Sequence, residues 1–368
     1  MKRKVYEQLL EWKSQEHHKP LILNGVRQCG KTYVLKEFGR QEFDSLAYVS
    51  CDRNVNLQAI YSGDFDVARI IQGLSALTGV DIIPGKTLIF LDEVQAFPQA
   101  LEALKYFCED APEYHIVVAG SLLGVALHAG VSFPVGKVQT LRLFPMDFEE
   151  FLMAMGEEQL LKLMHSHDYE LMNAFHEKLK DLLRQYYYVG GMPEVVKAFA
   201  ENKLLNQVRS LQNEILSNYA SDFSKHAPSQ EVPRIDMVWQ SILGQLSKEN
   251  KKFVYGVLKK GGRAKEFELA IQWLVDAGLV YKITKVSKPE LPLKFYEDLS
   301  AFKLYLCDCG LMGAMLIRLP RRFFWVMRYL QNIKELLRNS MCCSSCLHPD
   351  CSISIITVPI LLVWKWIF

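Results

Sequence analysis

Gly25, Gly30, Lys31 and Thr32 stand in the stretch LILNGVRQCGKT, residues 21 to 32, at the spacing Gly-x4-Gly-Lys-Thr, and those residue types in that order suit a triphosphate. The glycines let the backbone turn tightly enough for the N–H groups of Gly25, Val26, Arg27, Gln28, Cys29 and Gly30 to point inward at phosphate oxygens. Lys31 would set an ammonium against the β- and γ-oxygens, and the Thr32 hydroxyl would hold Mg²⁺. Downstream, the apolar run Thr87-Leu88-Ile89-Phe90-Leu91 ends in Asp92 and Glu93. A strand-end aspartate can orient the metal through its ligands, and a glutamate beside it can polarise an attacking water. The competing reading of that run is a buried strand that enters a solvated acidic turn.

Chemistry of this kind needs elements to aim it. Leu21-Ile22-Leu23 reads as a buried strand, and TYVLKEF, from Thr32, has helical spacing, so bound phosphates would also meet a helix N-terminus. An amphipathic helix bearing Val5, Leu9, Leu10 and Trp12 precedes them. Strands over Leu46–Asp52, His115–Ala119 and Val138–Leu143 are expected to alternate with helices over Phe65–Leu77 and Ala100–Cys108. That alternation predicts an α/β domain with a parallel sheet. Ser121, after the strand ending in Gly120, is either a γ-phosphate sensor or a turn serine. Arg142 either contacts nucleotide or pairs with an acidic neighbour, and both readings stay open. Cys29 is read as a small filler of the phosphate loop rather than a redox site.

Phe144-Pro145-Met146-Asp147 closes the domain, with Asp147 and Glu150 spaced as a capping box. From Phe151 to about Ala227 the pattern is helical and amphipathic, as in a lid. Gly190-Gly191-Met192-Pro193-Glu194 interrupts it and reads as backbone punctuation without chemistry. The expected divisions are 1–150 for the nucleotide core, 151–230 for the lid, 231–315 for a winged-helix region with the start of a terminal domain, and 316–368 for an aberrant tail.

A chain of 368 residues, half of them hydrophobic and 23% charged, can bury more than one core. A net charge of +2 gives no overall field toward nucleic acid or membrane. The opening MKRKVYEQLLEWK has no uninterrupted apolar segment of the secretory kind, so a cytoplasmic protein is expected. Cys29, Cys51, Cys108, Cys307 and Cys309 are scattered like reduced thiols, whereas Cys342, Cys343, Cys346 and Cys351 crowd the end.

The segments GVRQCGKT, FLDEVQ, AGSLLG, FPVGKVQTLRLFPMDFEEF and YVGGMPEVV, in this order, resemble a bacterial and archaeal family of AAA-type ATPases that carry a C-terminal domain of unknown function. The resemblance runs over roughly residues 1 to 315. It implies a P-loop NTPase core of the AAA type (ASCE class) with a helical lid, a winged helix and a terminal domain similar to restriction-endonuclease folds. It also implies ATP and Mg²⁺ as cofactors, with nucleotide roles for Gly25, Gly30, Lys31, Thr32, Asp92 and Glu93. The expected function is ATP hydrolysis that drives conformational change. The alternative is a nucleotide-gated module for DNA or protein in which hydrolysis is incidental. A homo-oligomer is expected if an arginine must act in trans.

Residues 234–286 fit a winged helix on their own pattern: helices over Ile235–Leu246 and Lys265–Ala277, a strand over Leu279–Ile283, and SKPELPLK as the wing. Lys251, Lys252, Lys259, Lys260, Arg263 and Lys265 form a basic cluster that could meet phosphates. Glu266, Glu268 and Asp276 on the recognition helix oppose a duplex and favour solvent or a protein partner.

After Met315 the composition shifts. Cys343-x2-Cys346 with His348 and Cys351 is too compressed for a usual structural zinc loop, and Ser352–Phe368, with Pro359 and Lys365, is shorter than the roughly 20 apolar residues of a span, so no membrane partner is expected. Synonymous codons for this tail exist that, read from the third base of each codon, spell a peptide with TEQ and EVDF segments resembling the family's continuation. The tail is therefore expected to be the product of a single-base insertion or deletion near Leu316.

Overall fold

Five short runs become parallel strands: Leu21–Gly25 (β1), Ser45–Ser50 (β2), Thr87–Asp92 (β3), His115–Gly120 (β4) and Gln139–Leu143 (β5). They lie in the order β2-β3-β4-β1-β5. The central β3 and β4 are buried along their whole length, as strands covered on both faces must be, and they read as unbroken apolar runs for that reason. The edges β2 and β5 are only partly covered, which matches their mixed sequences. Register is set by apolar pairs such as Leu23 with Ala119, Leu91 with Val118 and Val49 with Leu91.

The computed structural model describes residues 1–52, 54–121, 134–246, 252–288, 290 and 292–318. They fall into two units, residues 2–143 and the residues from 144 onward. In the first unit, side chains alternate across the sheet. Ile89, Leu91, Ile116 and Val118 join a core with helices Asn56–Ile60 (α3), Val67–Thr78 (α4) and Pro98–Asp110 (α5). Helices Val5–Ser14 (α1) and Lys31–Glu42 (α2) complete the unit. Gly39 of α2 lies so close to Leu46 and Leu88 that any side chain there would collide, which puts α2 on the opposite face from the α4 core. The expected α/β domain with a parallel sheet holds, and one strand, β4, separates β1 from β3.

The second unit begins with Asp147, whose carboxylate accepts from the Glu150 amide at 2.8 Å while Glu150 accepts from the Asp147 amide at 3.2 Å, the expected capping box. Helices Phe148–Ala154 (α6), Glu158–Ser166 (α7), Tyr169–Ala174 (α8), His176–Val189 (α9), Pro193–Asn202 (α10) and Leu205–His226 (α11) follow. Then come Val232–Leu246 (α12), Ala264–Asp276 (α13), an antiparallel pair Val280–Val286 (β6) and Glu297–Leu306 (β7), and Cys309–Arg318 (α14). The Phe253 amide donates to the Phe302 carbonyl at 2.7 Å, adding a short third segment beside β7. The sequence reading placed neither β7 nor α14.

The Gly190-Gly191 pair, read as punctuation, is a packing joint. A side chain on Gly191 would meet the Met146 carbonyl oxygen at 1.9 Å, and one on Gly190, at φ +76°, would meet the Asp308 carboxylate at 2.3 Å. Asp308 accepts from the Gly191 amide at 2.5 Å and the Leu311 amide at 2.8 Å, so it caps α14 and clamps the turn after α9 at once. Gln212 of α11, fully buried, donates to the Tyr188 and Val189 carbonyls, both at 2.9 Å. The Gln212 amide thus satisfies carbonyls that the end of α9 would otherwise leave bare.

Lys251, the four crowded cysteines, His348, the Ser352–Phe368 segment and the whole frame-shifted reading from residue 319 lie outside the described residues. The five scattered cysteines are free thiols.

Candidate functional site

The site lies where parallel strands end, at the carboxyl edge of the first unit's sheet, the usual place for ligands in open α/β sheets. β1 delivers Gly25, and the loop to α2 turns through two left-handed residues, Gln28 at φ +66° and Gly30 at φ +95°. Alternation of right- and left-handed backbone makes a concave run of amides suited to anions. Gly25 is obligatory: an added Cβ would lie 2.2 Å from the Leu143 carbonyl oxygen. Cys29 is buried beneath the loop, its thiol 3.6 Å from the same carbonyl, which agrees with a filler role. Arg3 donates from Nη1 to the Cys29 carbonyl at 2.9 Å, a brace from ahead of α1 that the sequence did not mark.

Lys31 is buried, and its Nζ donates to the Gly25 and Val26 carbonyls at 2.8 and 2.9 Å. The loop therefore folds around its own ammonium. Thr32, on the first turn of α2, donates from Oγ1 to Asp92 Oδ2 at 2.8 Å, joining the glycine loop to the tip of β3. The Glu93 amide donates to the other oxygen, Oδ1, at 3.1 Å. Tyr48, on β2, also donates to Oδ2, at 3.3 Å, and Lys36 of α2 places Nζ 3.5 Å from the centre of the Tyr48 ring. Burial and the Asp92 charge push the Tyr48 phenol up, so it stays a protonated donor. Burial, reinforced by Asp92 and Glu93, pushes the Cys51 thiol up to about 12, which leaves it unreactive.

Glu93 sits in the left-handed region at φ +51°, a conformation that costs a non-glycine residue energy. Ser121 follows the end of β4, the strand between β1 and β3, and its Oγ donates to Glu93 Oε2 at 3.4 Å. Lys31, Thr32, Asp92, Glu93 and Ser121 thus form one connected group, with Arg27 exposed at the loop's outer side. Tyr48 and Gln95 belong to the group and were missed. Tyr48 could have been found only through pairing, since it is two residues from the end of the strand that runs beside the Asp92 strand.

The residues present fit a metal–triphosphate. Oxygen ligands from Thr32 and Asp92 suit a hard cation such as Mg²⁺, the loop amides and Lys31 suit phosphate, and the buried Gln28 Oε1 has no partner among the described residues.

Residues 17–152 match the family model of an AAA domain, and residues 180–321 match a domain of unknown function. No curated protein matches the chain. Among solved structures, a Walker-type ATPase of Pyrococcus abyssi is similar with a TM-score of 0.53 at 13% identity, over 86% of this chain and 95% of that one. The ORC2 protein of Aeropyrum pernix in its ADP form reaches a TM-score of 0.32, with 13% identity over 92% of each chain. Cdc6p of Pyrobaculum aerophilum reaches 0.28, with 13% identity over 93% of this chain and 96% of that one. The first unit of this protein has the P-loop NTPase fold, and residues 17–152 are similar to an AAA domain.

Proposed function

We propose that this protein binds ATP with Mg²⁺ in the loop from Gly25 to Thr32 and hydrolyses it. The observation that carries the reading is the 2.8 Å contact between Thr32 and Asp92, which joins phosphate loop and acidic strand tip in one site. Mg²⁺ would be held by the Thr32 hydroxyl and, through its ligands, by Asp92, and would supply charge neutralisation for the phosphates. Lys31 would leave the Gly25 and Val26 carbonyls for the β- and γ-oxygens. Glu93 would polarise the attacking water, and Ser121 would sense the γ-phosphate. Glu93→Gln is the test: ATP binding is expected to persist while phosphate release falls by about 100-fold or more, in the range of general-base removal. Release unchanged in the variant would overturn the role of Glu93.

Turnover is expected to drive change between the core, the helical segment and the region after residue 231, which we read as a winged helix. The order α12, the Phe253 segment, α13, β6 and β7 supports that reading. A protein partner suits this region better than a duplex. Lys252, Lys259, Lys260, Arg263 and Lys265 are exposed, but α13 itself turns Glu268 and Leu269 outward. Turnover measured with and without DNA decides: stimulation by duplex would favour the nucleic-acid alternative. A second copy could supply an arginine to the site, and a concentration-dependent rate would reveal it. No helix among the described residues is long and apolar enough to cross a membrane.

A further inference from the structure

After the strained Glu93, Val94–Ala96 forms a single 3₁₀ turn, closed by the Ala96 amide on the Glu93 carbonyl at 3.0 Å and anchored by the fully buried Val94. This turn carries Gln95 back over the preceding carboxylate. Its Nε2 donates to Glu93 Oε2 at 2.5 Å, the same oxygen that Ser121 reaches at 3.4 Å. A carboxylate only accepts, so the amide must present its NH₂ to Glu93 and its oxygen elsewhere. That oxygen, Oε1, is buried and has no partner among the described residues. A buried acceptor left bare is costly, and native structures keep few of them. Here it lies one amide away from the carboxylate that faces the phosphate loop group.

We propose that Gln95 is a positioning residue for ATP hydrolysis, its amide nitrogen aiming the Glu93 carboxylate and its amide oxygen accepting a hydrogen bond from the attacking water. The inference rests on the ATPase reading above. Glu93 takes the proton that the water loses as its oxygen bonds to the γ-phosphorus, while the bond from that phosphorus to the β–γ bridging oxygen breaks and ADP leaves with that oxygen. Gln95 neither gains nor loses a proton. It fixes two of the partners, which is where orientation lowers the barrier.

The test compares a ground-state nucleotide with a transition-state mimic, using Gln95→Leu and Gln95→Glu in the full chain. Gln95→Leu is expected to bind Mg·ADP within about twofold of wild type and to bind Mg·ADP–aluminium fluoride about tenfold or more weakly, since only the mimic presents the in-line water site. Gln95→Glu, which keeps the shape but puts an acceptor where the donor stood, is expected to weaken the mimic in the same way. Equal weakening toward both nucleotides would reduce Gln95 to a support of the turn and overturn the proposal. Unchanged affinity for the mimic would overturn it as well. A wild-type chain that binds neither nucleotide would instead remove the ATPase reading, and this inference with it.

Discussion

Gly25 is the residue with least freedom in the candidate site. A methyl group there would face the Leu143 carbonyl oxygen at 2.2 Å and the Cys29 sulfur at 3.1 Å, and backbone on β5 cannot step aside without loosening the β1–β5 pairing. Gly25→Ala is expected to lower stability by about 1–3 kcal/mol, the usual cost of overpacking, as read by denaturant unfolding, and to abolish nucleotide binding. Tyr48 is expected to act more subtly. Its phenol shares Asp92 Oδ2 with Thr32, so Tyr48→Phe leaves Asp92 with one fewer restraint while the ring stays packed beside Phe90. The Mg²⁺ concentration for half-maximal nucleotide binding should rise about tenfold, the weak end for a hydrogen bond to a charged group. An unchanged Mg²⁺ requirement would reduce Tyr48 to a packing residue. Lys31, Thr32, Asp92 and Glu93 were legible because their types and spacing are local. Tyr48, Gln95 and Arg3 were not, since each reaches its partner through a fold-level neighbour or a strained turn that no spacing rule announces.

At the scale of elements, the first unit was the easier to read. Its strands are continuous apolar runs with turn residues between them, and each helix carries an apolar face of its own, so periodicity finds them. The second unit depends on close approaches instead. The sequence offered Gly190-Gly191 as a simple break, yet its purpose is to admit Asp308, more than a hundred residues later, and the Met146 backbone. Pairing of β7 with β6, with a shift in register between Thr284 and Lys285, likewise rests on contacts that local pattern does not carry. Asp308→Ala would strand the Gly191 and Leu311 amides in a buried setting. The expected loss is about 2–6 kcal/mol, summing the cost of two orphaned donors, and a thermal melt of the variant checks it. Gly191→Ala, which forces a methyl onto a carbonyl oxygen at 1.9 Å, is expected to prevent this unit from folding, seen as loss of its melting transition while the other persists.

At the scale of the molecule, the two units hold buried titratable groups with opposite proton linkage. In the first unit His18 and His115 stack with ring centres 3.8 Å apart, beside Trp12. Burial, and then the neighbouring His18, push His115 from its ordinary 6.5 down to about 4, and burial lowers His18 as well. Below pH 6.5 the unfolded chain binds protons that the folded unit refuses, so this unit loses stability as pH falls toward 4. In the second unit burial raises Asp308 from 3.8 to about 6, although the Gly191, Leu311 and Gly310 amides pull the other way. Between those values the folded state holds a proton that the unfolded chain has released, so stability here falls as pH rises from 4 to 6. Calorimetry between about pH 4.5 and pH 6.5 should therefore show one transition moving up and the other moving down. Mg²⁺ with a non-hydrolysable ATP analogue identifies the first unit, because a ligand stabilises only the unit that binds it. His115→Phe should flatten the pH dependence of that transition, and Asp308→Asn that of the other. Two transitions that share one slope, or that stay unaltered in these variants, would mean that the buried groups named here do not govern the acid response of either unit.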